Sequence, residues 1–526
     1  MSVMRSRTAW TTGLAAATLT AAAVTAAPAD AVSGPQATDA SAASTASLNV
    51  GGQEGCSGTL VAPQWLLTAA SCFADTPSQG YHVQAGAPKL KTTATFAGGV
   101  QQQVTEVVPR SDRDVVMARL AAPVTGITPA TVATTAPATG DEVQAVGFGR
   151  TSSEWVPGQA HTAPFTVGAV GGTTINLAAA SGGGAICKGD TGGPALRTVD
   201  GRAQVVAVHS LSWQGGCLGT DASETRTGAV DARVDDIAGW VGQISYSTTF
   251  AKAPWVNAQQ MTAGYYTGGS AAGTRHMDLV VRWNDGEVTL YQGGDNNDPA
   301  HPFSAEYQLA KPKSIWAKAL NISRANFNGG ATDGLVVRWV DGEMTQYTTV
   351  DAKGFHGEKQ LAKPKTPVWQ NDARLMTAGK FTTGGKSDDL MVVWKDGNVS
   401  AFTDLAANGL NKQTEIVKPN TTTWPYADQL TTGQFTGKAT DDVLVRWKDG
   451  ETTIYPGMTT SRLPAEDRIA LPKSRWAQAT VVAAGAFGDN NVSDDVLVRW
   501  SDGHLSLFTG VDAKGTHDET VLTPKQ

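Results

Sequence analysis

Between residues 48 and 246 the apolar positions come in short runs. Thr59-Leu60-Val61, Trp65-Leu66-Leu67, Val115-Val116-Met117 and Val205-Val206-Ala207-Val208 are separated by Gly- and Ser-rich turns. Short apolar runs bounded by turn residues predict strands. One stretch reads differently. From Ala232 to Ile244, Val234, Ile237, Ala238 and Val241 recur at helical spacing, which predicts one helix with a single apolar face.

From residue 255 the pattern repeats itself. Leu279-Val280-Val281-Arg282-Trp283-Asn284-Asp285-Gly286 has relatives ending in Trp339, Trp394, Trp447 and Trp500, at steps of 56, 55, 53 and 53. Each apolar run is followed by an x-Asp-Gly turn and a second run such as Val288-Thr289-Leu290-Tyr291, a strong hairpin signal. A second tryptophan precedes each unit (Trp255, Trp316, Trp369, Trp424, Trp476), so ten of the 15 tryptophans belong to the repeat and are expected in its core. Gly-x-Phe elements lie upstream, as in Gly379-Lys380-Phe381, Gly433-Gln434-Phe435 and Gly485-Ala486-Phe487. A period of roughly 50 residues suits a four-stranded propeller blade. Since one blade cannot bury both its faces, five units predict a five-bladed ring. The pattern resembles the FG-GAP-type repeats of secreted bacterial proteins over 255–526. Only the last unit keeps an acidic turn, Asp489-Asn490-Asn491-Val492-Ser493-Asp494, and the third, Thr383 to Asp388, carries Lys386 among too few oxygen ligands. These read as solvated turns rather than Ca²⁺ loops, and no metal or cofactor is expected.

Composition agrees with an all-β chain: 58 Gly and 24 Pro, with only 17% charged residues. A net charge of -7 excludes the basic surface that a nucleic-acid or anionic-membrane partner requires. The N-terminus has Arg5 and Arg7 before an Ala-rich run from Gly13 to Ala27, then Ala29-Asp30-Ala31. That is the form of a secretory signal over 1–31, cleaved before Val32, and it predicts an extracellular protein without a membrane span. Export makes disulfides expected among Cys56, Cys72, Cys187 and Cys217, and the spacing alone leaves three pairings open. The expected divisions are a mature N-terminal segment (32–47), a first domain (48–246), a linker (247–254) and the repeats (255–526).

In the first domain the chain resembles a known family. Gly55-Cys56-Ser57-Gly58-Thr59-Leu60-Val61 followed by Trp65-Leu66-Leu67-Thr68-Ala69-Ala70-Ser71-Cys72 resembles the segment of trypsin-like serine proteases around the catalytic histidine. Asp112 to Leu120 resembles the segment of the catalytic aspartate, and Cys187-Lys188-Gly189-Asp190-Thr191-Gly192-Gly193-Pro194 the nucleophile loop. Ser212-Trp213 resembles the substrate-binding strand, and Gly228 to Val234 with Trp240-Val241 the end of the second barrel and the terminal helix. The blocks keep the family order over about 200 residues. The resemblance implies two six-stranded β-barrels with the site between them, and disulfides Cys56–Cys72 and Cys187–Cys217. It places Ser71, Asp114 and Thr191 at the triad positions and Gly189 and Thr191 at the oxyanion hole. Ala185 falls at the pocket floor, Ser212, Trp213 and Gln214 on the substrate strand, and Asp190 as partner of a freed N-terminus, here Val32.

The triad chemistry needs a hydroxyl, an imidazole to take its proton and a carboxylate to orient the imidazole. At the implied histidine position stands Ser71, which cannot act as that base, and at the nucleophile position Thr191, whose methyl stiffens χ1. Of the histidines in this half, His209 lies on an apolar strand as a structural residue, and His82 and His161 lie in polar, solvated stretches. The reading is a secreted pseudoprotease that binds a peptide or protein in its cleft and another ligand, protein or carbohydrate, on its propeller. The alternatives are an active extracellular serine endopeptidase with an atypical site, and a purely structural surface protein.

Overall fold

A computed structural model describes residues 35–37, 42–52, 54–76, 80–180, 184–268, 275–488 and 490–526. The signal segment, Val32 and Asp489 lie outside the described residues.

The short apolar runs of the first half are strands, and they close two barrels. β1 (Thr45–Val50), β2 (Glu54–Ala62), β3 (Trp65–Thr68), β4 (Thr92–Phe96), β5 (Gln101–Pro109) and β6 (Val116–Leu120) form a closed ring in the order β1-β2-β3-β6-β5-β4. β3 is buried throughout, because it runs through the ring between β2 and β6. The second barrel comprises β8 (Glu142–Gly147), β9 (His161–Val170), β10 (Thr174–Ala179), β13 (Ala229–Arg233), β12 (Arg202–Ser212) and β11 (Pro194–Val199), the last pairing back onto β8. A two-residue strand, β7 (Thr131–Val132), adds to β12 in parallel. The helix expected over Ala232–Ile244 is α1 (Ala238–Phe250), six residues later: Ala232 and Arg233 end β13, and Asp235–Ile237 form a 3₁₀ turn before the helix.

The second half is a ring of five four-stranded sheets, a five-bladed β-propeller. Its innermost strands (Ala258–Gly264, Ala319–Ala325, Ala373–Gly379, Ala427–Gly433 and Ala479–Gly485, blades I to V) each touch the next, and the fifth touches the first. Every blade is one contiguous stretch of chain with its strands in sequence order. The seam between blades V and I carries side-chain packing and hydrogen bonds from Met277 N to Ala486 O at 2.8 Å, Val256 N to Gln526 Oε1 at 3.0 Å and Arg499 Nη1 to Val256 O at 3.1 Å. The second strand of each blade (Asp278–Trp283, Gly334–Trp339, Asp389–Trp394, Asp442–Trp447, Asp495–Trp500) is buried at every position. Neighbouring blades cover both its faces, which is why its sequence is a continuous apolar run rather than an alternating one. The hairpin glycines Gly286, Gly342, Gly397, Gly450 and Gly503 have φ between +81° and +89°, the left-handed region that the x-Asp-Gly turn demands.

The two tryptophans of each blade lie with ring centroids 5.1 to 5.9 Å apart. In every blade the second-strand indole donates to a hydroxyl six residues on: Trp283 to Thr289, Trp339 to Thr345, Trp394 to Ser400, Trp447 to Thr453 and Trp500 to Ser506, at 2.9 to 3.0 Å. Burying an indole is favourable only if its N–H keeps a partner, and the repeat supplies one each time.

The two halves meet through α1. Residues 247–254, expected as a linker, form the end of this helix and the turn before Trp255. Phe250, 3% exposed, packs on Trp255, Tyr291 and Phe303 at 4.7, 5.3 and 4.9 Å. It fills in blade I the role that Phe355 fills in blade II, where it stacks on Trp316 at 4.4 Å. Two turns earlier the buried Gln243 amide donates to His301 O at 2.7 Å and accepts from Asn296 Nδ2 at 2.9 Å, both on a blade I loop.

Candidate active-site cleft

A cavity of about 730 Å³ lies between the barrels. Ser71 and Asp114 reach it from the first barrel, and Gly189, Thr191, Ser210 and Leu211 from the second. Ser71 sits on a 3₁₀ turn, Ala70–Phe73, tied to β2 by the Cys56–Cys72 disulfide. Asp114 precedes β6, and its neighbour Arg113 is buried and paired with Asp236 at 2.6 Å, which anchors the turn to the segment entering α1.

Three donors converge on the Asp114 carboxylate. Ser71 N donates to Oδ1 at 2.7 Å, while Ser71 Oγ and Ser210 Oγ donate to Oδ2 at 2.8 and 2.7 Å. A carboxylate held in this way is satisfied by hydroxyls and an amide, and it orients no base. No histidine is among the described residues that line the cavity. His82 is exposed. His161 opens β9, and His209 is fully buried with Nδ1 2.7 Å from Asp231 Oδ2. Burial pushes the His209 imidazole down, but the Asp231 and Asp190 carboxylates together hold the group above its usual value.

The loop Cys187–Pro194 is folded by its own backbone. Asp190 N donates to Cys187 O at 3.0 Å and Gly193 N to Asp190 O at 2.8 Å, with Gly189 at φ +100°. Ser57 ties it to the first barrel, its N donating to Thr191 O and its Oγ to Gly189 O, at 2.8 and 2.9 Å. Among the described residues, the Gly189 and Thr191 amides donate to no protein acceptor, which leaves both for an incoming oxygen. Asp190 is buried beneath, accepting from Gly149 N at 2.7 Å and Cys187 N at 2.8 Å. The approach is so close that a Cβ on Gly149 would stand 2.5 Å from Asp190 Cγ. Burial pushes the Asp190 carboxyl up to about 6, against the pull of the two amides.

The residues expected on the substrate strand lie away from the cavity lining. Ser212 Oγ donates to Ile186 O at 2.5 Å and receives Gln214 N at 3.1 Å, with Gln214 at φ +62°. Trp213 is 53% exposed with the Arg226 guanidinium 3.6 Å above its ring. Ala185 is buried against the Cys187–Cys217 disulfide. The residue of β12 that meets Asp114 is Ser210, two positions earlier, followed by Leu211 on the cavity wall. Its placement comes from a β-bulge. His209 pairs with Asp231 and Leu211 with Val230, so Ser210 is the extra residue and its hydroxyl is re-aimed into the cleft.

Barrel pair, bridged loops and cleft together define a trypsin-like serine protease domain, and comparison with known proteins agrees. The trypsin family model matches residues 31–241. Platelet-aggregating proteinase PA-BJ of Bothrops jararaca is 27% identical over 222 residues, covering 38% of this chain and 87% of that protein. Among solved structures, neuropsin, a serine protease expressed in the limbic system of mouse brain, aligns at 18% identity and a TM-score of 0.31, covering 39% of this chain and 95% of its own.

Proposed function

We propose that the trypsin-like domain is catalytically silent and that its cleft binds an extended peptide or protein segment outside the cell. The observation that supports this reading is the saturation of Asp114 by Ser71 and Ser210, in a cavity whose described lining carries no imidazole. Without a base the Thr191 hydroxyl stays protonated, and loss of such a unit costs several orders of magnitude in rate. The free Gly189 and Thr191 amides remain able to hold a carbonyl oxygen, and Leu211, 68% exposed, offers apolar contact beside them. Two disulfides and the apolar N-terminal run fit export. No described helix is long and apolar enough to cross a membrane.

The test compares the natural protein with a Ser71→His/Thr191→Ser double variant on an ester and on casein. The natural protein is expected to hydrolyse neither, and the variant to gain ester hydrolysis. Hydrolysis by the natural protein that a serine-directed inhibitor blocks would overturn the reading.

A further inference from the structure

The charges around the cleft narrow its ligand, given the silent site proposed above. Asp114 is the one carboxylate among the described residues that line the cavity, and three donors already hold it. Arg113, Arg150 and Lys188 line the same cavity. Arg113 is paired with Asp236, but no carboxylate among the described residues pairs with Arg150 or Lys188. Arg150 N donates to Lys188 O at 3.0 Å, which fixes the two residues side by side. The Arg150 guanidinium donates to Leu218 O at 3.2 Å and lies 4.8 Å from the Trp155 ring centroid. Lys188 stands immediately before Gly189 with its side chain exposed. A cleft walled by uncompensated charge of one sign draws in ligands of the other.

A second observation is independent of these side chains. The Gly189 and Thr191 amides, on the same loop, donate to no acceptor among the described residues. Such donors hold an oxygen better the more negative charge it carries. In a working protease that charge appears only once the nucleophile has attacked. Where no attack occurs, a peptide carbonyl stays neutral, and an oxygen that is charged from the outset is the better match. We propose that the cleft recognises the C-terminal carboxylate of a peptide, one oxygen on the Gly189 and Thr191 amides and the other toward Lys188. The residues before that terminus lie against Leu211 and Val230 on the cavity wall. Lys188 and Arg150 set the preference for charge, since an internal segment offers the amides only neutral carbonyls. Free C-termini are released wherever an active endopeptidase hydrolyses a chain, so the ligands are cleavage products of other proteases.

The probes are a rhodamine-labelled Ala-Ala-Ala-Leu peptide with a free C-terminus, the same peptide ending in a carboxamide, and a carboxamide with Glu in place of the third Ala. Fluorescence anisotropy on the full-length protein is expected to show saturable binding of the free acid, about tenfold or more tighter than either carboxamide, because it alone makes charge-assisted hydrogen bonds to the loop amides. Lys188→Gln tests the charge preference. It changes an exposed side chain, so its Tm should match the parent. Its affinity for the free acid should fall severalfold while that for the plain carboxamide stays unchanged. Equal binding of the free acid and either carboxamide, or unchanged free-acid affinity in Lys188→Gln, would overturn the carboxylate proposal and leave the silent cleft standing. Binding of none of the three, or cleavage of any, would overturn both.

Discussion

Phe250→Ala is expected to destabilise the propeller more than any surface change in it. The ring is buried at the end of α1 and touches Trp255, Tyr291 and Phe303. Truncating a buried Phe to Ala costs roughly 3–5 kcal/mol, and the three aromatic partners place this site in the upper half of that range. For a unit of this size about 1 kcal/mol moves Tm by roughly 2–4 °C, so the propeller transition should fall by on the order of 10 °C. Scanning calorimetry with tryptophan fluorescence reads this directly, because ten of the 15 tryptophans lie in the repeats. Tyr246→Phe is the control: it removes only a hydrogen bond to Glu306 and should cost less than about 1 kcal/mol. A loss below about 1 kcal/mol for Phe250→Ala, or a shift confined to the barrel transition, would refute the view that the helix completes blade I.

Three further outcomes are expected. Thr453→Val strands the Trp447 indole N–H and should cost about 1–3 kcal/mol in urea unfolding; a neutral result would mean the indole finds another partner. Gly450→Ala combines φ +89° with a Cβ 2.6 Å from Ala477 N, and should cost more than about 2 kcal/mol, read as a lowered urea midpoint. Stability should also depend on pH through Asp190. Because burial raises its folded value from about 3.8 to about 6, the folded domain holds that proton more tightly than the unfolded chain does, and roughly 3 kcal/mol is lost as pH rises through this window. Burial is the largest single effect on His209 and lowers it, but the Asp231 and Asp190 carboxylates together hold it above its usual value. Its contribution is complete below the unfolded value of about 6.5 and is lost as pH rises through the folded value, in the same sense. Urea midpoints that stay flat or rise from about pH 4 to about pH 7 would refute this, and would point to an ammonium group, such as that of Val32, beside Asp190.

Much of the architecture was legible because it rests on repetition. The five Trp units and their Asp-Gly turns mark the blades, since each must make the same hairpin and bury the same strand. The hydroxyl six residues after each second-strand Trp is equally visible in the sequence, and the need of a buried indole for an acceptor calls for it. Ser71 and Asp114, which the protease resemblance assigns to triad positions, are joined by a hydrogen bond from Ser71 Oγ. Ser210 was not legible: a bulge is a backbone event, and the Ser212-Trp213 pair offered a better local match two residues on. Phe250 was hidden for a different reason. Its partners lie beyond the next turn in another domain, so no periodicity within α1 marks it as core to the propeller.

The contiguous blades leave the ring without a privileged seam. No strand crosses between blades V and I, and the backbone bond there, Met277 N to Ala486 O, repeats those of Asp333 N to Tyr265 O, Asp388 N to Asn326 O and Asp441 N to Lys380 O, although Met277 stands where those junctions have an aspartate. The gene could therefore be recut at another of the interblade turns, or lengthened by one unit, without breaking a sheet. Such a ring can change its number of blades by whole-unit duplication, with only the axial opening obliged to readjust.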